Sequence, residues 1–76
     1  MIQSIIFEKE NNSISSVKKW ITEHGYIYND KASNFKTTNY YRVRQVDPKK
    51  LEVKGYKFIM KLIDKKRNIY LVLAYK

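Results

Sequence analysis

Tyr40, Arg42, Arg44 and Val46 alternate with Tyr41, Val43 and Gln45 in the stretch Asn39 to Pro48. Successive side chains of a strand point to opposite faces, so these two sets part company. A core takes up Tyr41 and Val43 readily. It has no use for two guanidinium groups beside a tyrosine ring. Left exposed, Arg42 and Arg44 offer planar, bidentate donors for phosphate, and Tyr40 offers a surface on which an unpaired base can stack. The chemistry indicated is recognition of an anion, with an aromatic component.

Other cations join this candidate interface: Lys57 and Lys61 in a later apolar segment, and Lys65, Lys66 and Arg67 in a charged turn. Six cations on phosphate would make affinity fall about a thousandfold between about 50 and 200 mM salt. Such contacts position a ligand without reading its sequence. A structural reading stands beside this one. Arg42 and Arg44 could pair with Glu8, Glu10 or Glu52 across neighbouring strands, at about 0.2–1 kcal/mol per pair.

Catalysis finds no footing. There is no cysteine, and the only histidine, His24, follows Glu23 without a serine motif around it, so a nucleophile, base and orienting group do not assemble. At a helix C-terminus His24 is expected to act as a cap. No spaced cluster of His, Cys and carboxylates suggests a metal. Two glycines, Gly25 and Gly55, cannot build a phosphate-cradling loop. A non-enzymatic protein without a metal or other cofactor is expected.

Sixteen basic residues against seven acidic ones give a net charge of +9. Residues 1–38 hold five basic and four acidic side chains, net +1, and residues 39–76 hold eleven and three, net +8. The excess therefore lies in the C-terminal half, which points to an anionic partner there. General solubility and lysine-rich composition are the plainer account of the same charge. The 76 residues make one small domain, which buries only about 60% of its unfolded surface. Without disulfide or metal, seven tyrosines, three phenylalanines and one tryptophan must anchor the core. Absence of cysteine, of a signal-peptide pattern and of a long apolar run suggests a chain that is neither secreted nor membrane-spanning. Host cytoplasm or a virion interior is the expected setting.

The elements that would position the arginines follow from periodicity. Ser4 to Glu8 reads as a buried strand, with Ile5, Ile6 and Phe7 consecutive. A helix from Ile14 to His24 carries Val17, Trp20 and Ile21 on one stripe, with Ser13 as N-cap and Gly25 as the left-handed stop. No Glu or Gln follows Ser13 by three, so no capping box is expected. Tyr26 to Asn29 reads as a short strand, and Asp30 to Thr38 as a polar loop interrupted by Phe35. The central strand runs from Thr38 to Val46 and is ended by Pro48. Pro48 to Val53 suggests a helical turn. Tyr56 to Leu62 and Ile69 to Tyr75 form a hairpin around Asp64 to Asn68. Gln45, on the inward face, should hydrogen-bond backbone near a loop.

The sum is an α+β domain in which a single helix packs on one face of an antiparallel sheet of four to five strands, in the order β-α-β-β-β-β. One helix cannot cover both faces. The other face should be open, and there Tyr70 would join Tyr40, Arg42 and Arg44 as a stacking platform.

Ser4-Ile5-Ile6-Phe7, Val17-Lys18-Lys19-Trp20-Ile21 with His24-Gly25-Tyr26, and Asn39-Tyr40-Tyr41-Arg42-Val43-Arg44-Gln45 together resemble a small domain of tailed phages and large DNA viruses. Members show a strand, a Lys-Trp-Leu-Lys-like helix ending in His-Gly-Phe or His-Gly-Tyr, and a Tyr-Arg-Phe-Arg-Gln strand. The resemblance extends to Leu71-Val72-Leu73-Ala74-Tyr75 and departs at Val43, where an aromatic is commoner. It implies a viral origin and a one-helix α+β fold, and it brings no catalytic residues.

Two functions are expected from these features. The first is a small basic viral accessory or virion-associated protein that binds nucleic acid non-specifically, DNA favoured over RNA, through the open face. The alternative is a virion-structural or protein-interaction module. An acidic protein would dock on the basic face, or the hydrophobic C-terminal strand would pair edge to edge in a homodimer.

Overall fold

The computed structural model describes residues 1–31 and 35–76. Four strands, β1 (Ile2–Glu8), β2 (Tyr40–Arg44), β3 (Lys57–Asp64) and β4 (Ile69–Tyr75), and two helices, α1 (Ile14–Glu23) and α2 (Pro48–Val53), follow in the order β1-α1-β2-α2-β3-β4. The strands form one antiparallel sheet in the spatial order β2-β1-β4-β3. The α+β architecture with α1 packed on a four-stranded sheet is the one read from the sequence.

Each end of α1 is made by local chemistry. The Ser13 side chain accepts from the Ser16 backbone N–H at 3.2 Å, and the Ser16 hydroxyl accepts from the Ser13 N–H at 2.9 Å. A capping box therefore exists, with serine in the place usually held by Glu or Gln. At the other end Gly25, at φ 75°, turns the chain. Gly25 N–H donates to the Thr22 carbonyl and Tyr26 N–H to the Ile21 carbonyl, the paired bonds of a Schellman motif. His24 Nδ1 donates to the Trp20 carbonyl at 2.8 Å, and its ring stacks on Trp20 at 3.7 Å. Gly55 repeats the device after α2, whose N-cap is Asp47 with Pro48 in the first turn.

The main core lies between α1 and the sheet. Val17 and Ile21 of α1 meet Ile5, Phe7, Val43 and Ile69, all fully buried, and Phe35 completes the cluster. Trp20 packs edge-on against Phe7, their ring centroids 5.4 Å apart. Phe35 bridges Tyr28 and Tyr41, at 5.8 and 5.9 Å. It is thus a core residue and not an interruption in a solvated loop. Residues 32–34 of the expected polar loop lie outside the described residues.

Tyr26 to Asn29 forms no strand. The Gln45 side chain does the work of a neighbouring strand instead. Its Oε1 accepts from the Ile27 N–H at 2.9 Å, and its Nε2 donates to the Ile27 carbonyl at 2.7 Å. One amide satisfies both backbone polar groups of Ile27, so no ladder is needed there. A second amide secures the opposite end. Buried Asn12 donates to the carbonyls of Glu8 and Arg67, at 2.9 and 2.7 Å, tying the β3–β4 turn to the end of β1.

β4 is an interior strand, hydrogen-bonded to β1 on one side and β3 on the other. The expectation that the C-terminal strand supplies a free edge is therefore incorrect. Its residues are apolar at nearly every position because both faces are covered or shared.

Two outcomes follow. Gln45→Ala should cost about 0.5–1.5 kcal/mol in urea unfolding, since the two bonds it removes lie at the surface, where water can replace them, and should speed exchange of the Ile27 amide well before that of β1 or β4. Burial, then the charge of Asp30, then Tyr41, raise the Tyr28 phenol above its ordinary value of 10.0. The folded state thus favours the neutral ring. Stability should hold below about pH 10 and decline as pH rises through that value, and Tyr28→Phe should lessen that decline in alkaline melting curves.

Candidate nucleic-acid interface

Register decides which side chains share the second face, the one turned away from α1. β1 pairs with β2 through Ile5 with Val43 and Phe7 with Tyr41, and these four residues pack toward α1. The intervening residues must point the other way. Across the sheet, Arg42, Ile6, Tyr70 and Leu62 form one row of the second face, and Arg44, Ser4, Val72 and Met60 form the next.

This face is open over only part of its area. α2 carries the chain from the β2 edge to the β3 edge, and its Leu51 is buried yet stands apart from the α1-side core. Ser4, Val72 and Ala74 are buried. What remains accessible is a pocket of about 330 Å³ lined by Ile6, Tyr40, Arg42, Met60 and Tyr70. Ile6, 7% exposed, is its apolar floor, and Tyr40, 41% exposed, stands at its rim.

Arg42 is held in this pocket by an uncharged partner. Its Nε donates to the Ser4 hydroxyl at 3.2 Å. Burial pulls the guanidinium below its ordinary value, and the positive charge of Arg44 pulls the same way. A carboxylate in contact would push in the opposite direction. Glu8 lies opposite Tyr40 on the same face, diagonal to Arg42, but among the described residues Arg42 makes no ion pair, so its expected pairing with Glu8 is not made. Burial and the neighbouring positive charge both disfavour the Arg42 cation, and an anion at Arg42 would act against both.

The remaining predicted cations do not gather here. Arg44 shares the face of Arg42, one row further on. Lys57 and Lys61 lie opposite Tyr75 and Leu71, and Leu71 packs against the α1-side core, so both lysines emerge on the α1 side of β3. Lys65, Lys66 and Arg67 occupy the β3–β4 turn, where the Asp64 carboxylate accepts from the N–H groups of Lys66 and Arg67, both at 3.0 Å. Arg67 borders a cleft with Ser16, Lys19, Trp20 and Glu23, again on the α1 side. The interface read from sequence is therefore divided between two faces.

Other residues take the places of those lysines. Ile6 and Met60 complete the pocket, and Lys49, Lys50 and Lys54 of the α2 region lie exposed beyond the Arg44 end of β2. Strand order was needed to find the first two, and no periodicity in Ile5-Ile6-Phe7 separates Ile6 from its neighbours. The α2 lysines were visible as a basic helical turn. At the opposite end, a cavity of about 410 Å³ is lined by Glu8, Lys9, Glu10, Thr38, Asn39 and Tyr40. It is larger than the Arg42 pocket, but its two carboxylates repel phosphate. The accessible face thus runs from an acidic corner at Tyr40 to a basic end at Arg44 and α2.

Among the described residues no group of three His, Cys, Asp or Glu could hold a metal ion, and no helix is long and apolar enough to cross a membrane. If Arg42 serves a ligand and not an ion pair of the fold, Arg42→Met should cost about 1–3 kcal/mol, the effect of leaving the buried Ser4 hydroxyl without its donor. Removing one partner of a structural buried ion pair would cost about 3–5 kcal/mol. Chemical denaturation of the two proteins measures the difference. No protein-family model, curated protein or solved structure matches this chain.

Proposed function

We propose that this protein binds nucleic acid without sequence preference, taking an unpaired base into the Arg42 pocket of the second sheet face. The observation that carries the reading is the composition of that pocket: a half-buried guanidinium with no carboxylate partner among the described residues, set beside two tyrosines over an apolar floor. Aromatic stacking tolerates any base, because every base has a π-face. The guanidinium adds a planar, charged surface that can lie against a base or fork to a phosphate.

Polarity of the face orients the strand. Phosphates are drawn to Arg44, Lys49, Lys50 and Lys54 and kept from Glu8 and Glu10, while the base enters beside Tyr40 and Tyr70. Duplex DNA hides its bases in the stack and would use only the electrostatic part. A single strand, DNA favoured, is therefore the better ligand. The viral setting rests on the resemblance of the Tyr-Arg-Val-Arg-Gln strand and its flanking helix.

Fluorescence anisotropy with a labelled single-stranded DNA oligonucleotide tests the reading. Tyr70→Ala should weaken binding by about 1–3 kcal/mol, or roughly five- to 150-fold, as for loss of one base-stacking ring. Arg42→Met should weaken it comparably while the protein stays folded. With about four phosphate contacts the log–log salt slope should be near −3, from about −0.7 per contact on a single strand. Binding that is absent at about 50 mM salt, or equal for duplex and single strand and indifferent to Tyr70, would contradict the proposal.

A further inference from the structure

The two edges of the sheet differ in one respect that bears on assembly. The outer side of β2 is occupied: Arg42 N–H donates to the Phe35 carbonyl at 2.7 Å, Thr37 N–H donates to the Tyr40 carbonyl at 2.9 Å, and Lys36 bridges to Tyr41. The outer side of β3 meets no backbone partner among the described residues. β3 is also the longest strand, at eight residues. Ile59 is 54% exposed and Met60 58%, on opposite faces, with Leu62 and Ile63 about two-fifths exposed beside them. A long edge with apolar side chains on both faces and no proline is a template for another strand.

We propose that β3 pairs antiparallel with β3 of a second copy about a two-fold axis beside Met60, forming one continuous eight-stranded sheet. An axis perpendicular to the sheet keeps like faces together, so the pairing must centre on a residue. Centred on Ile59, it sets Lys57 against the partner's Lys61; centred on Lys61, it sets that lysine against itself. Like charges directly opposite are unfavourable. Centred on Met60, no lysine between Phe58 and Leu62 meets another. Phe58 faces the partner's Leu62, Met60 faces its own counterpart, and Ile59 lies under the aliphatic stem of the partner's Lys61. Centring on Phe58 or Leu62 shortens the overlap of these apolar rows. The strand is self-complementary in one register.

This pairing is smaller than the roughly 1,200–2,000 Å² of a standard interface, so the dimer is reversible, with a dissociation constant in the micromolar range. It also joins the two second faces into one surface that carries two Arg42 pockets. The proposal stands independently of nucleic-acid binding, because it rests on the β3 edge alone.

Sedimentation velocity over about 1 µM to 1 mM should show the mass doubling. Added salt should favour the dimer by screening lysines, the reverse of its effect on nucleic-acid binding. Ile59→Lys, on the α1 side and away from the pocket, should raise the dissociation constant at least about tenfold with an unchanged circular dichroism spectrum. Adding Lys61→Glu to that variant should restore association, because positions 59 and 61 face each other twice across the axis. Met60→Cys should yield a disulfide-linked dimer on mild oxidation, whereas Val53→Cys, at an 88% exposed position outside the strand, should not. A monomer throughout the series overturns the proposal, as does a dimer indifferent to Ile59→Lys or one that cross-links equally through position 53.

Discussion

The register between β1 and β2 is the constraint on which the molecule turns. Ile5 opposite Val43 and Phe7 opposite Tyr41 place four side chains against α1. A slip of one residue would exchange the faces of β2 entirely. Arg42 and Arg44 would then be driven against Val17 and Ile21, and Val43 would face water. Burial of Val43 and Phe7 therefore fixes where the guanidinium groups emerge. The basic chemistry of the second face is held in place by apolar contacts on the first.

A domain of this size, with no cysteine for a disulfide, ties its loops to the sheet through side-chain amides. Gln45 gives the backbone N–H and carbonyl of Ile27 both of their hydrogen bonds, and Asn12 joins the carbonyl at the end of β1 to one in the distant β3–β4 turn. Ser16 and His24 close the two ends of α1. Each bond is individually worth about 1 kcal/mol. Together they leave few polar groups of the loops competing with the ladder. Aromatic packing does the rest, in a chain of contacts from Phe7 through Trp20 to Tyr26 and from Tyr28 through Phe35 to Tyr41.

Local features were legible in the sequence, and long-range placement was not. The helix, its Gly25 stop, the strand before Pro48 and the closing hairpin all follow from periodicity and turn chemistry that neighbours in sequence determine. The backbone role of Gln45 follows from the demand of an inward-facing amide for partners, although the residue is half-buried and its bonds to Ile27 lie at the surface. Strand order depends on contacts between distant segments, so β4 passed for an edge although its near-continuous apolar run suits an interior strand. The same gap misplaced Lys57 and Lys61, whose face is set by pairing with β4 and not by their own spacing. It also hid Ile6 and Met60 as parts of the pocket. The capping box at Ser16 departs from the usual pattern, which has a longer Glu or Gln side chain at that position. Tyr26 to Asn29 has strand-like residues, but the Gln45 side chain stands where a strand would pair.

The central claim is that the second face, and the Arg42 pocket on it, is where a nucleic acid strand lies. Amide chemical-shift mapping on titration with a single-stranded DNA oligonucleotide at about 50 mM salt, within the range where phosphate contacts still count, tests this most directly. The account predicts that the largest shifts fall on Ile6, Tyr40, Arg42, Met60 and Tyr70, with smaller ones at Arg44 and Lys49 and none along Val17 to Ile21. Shifts centred on α1 or on the Lys65 to Arg67 turn, with the Arg42 pocket silent, would contradict it.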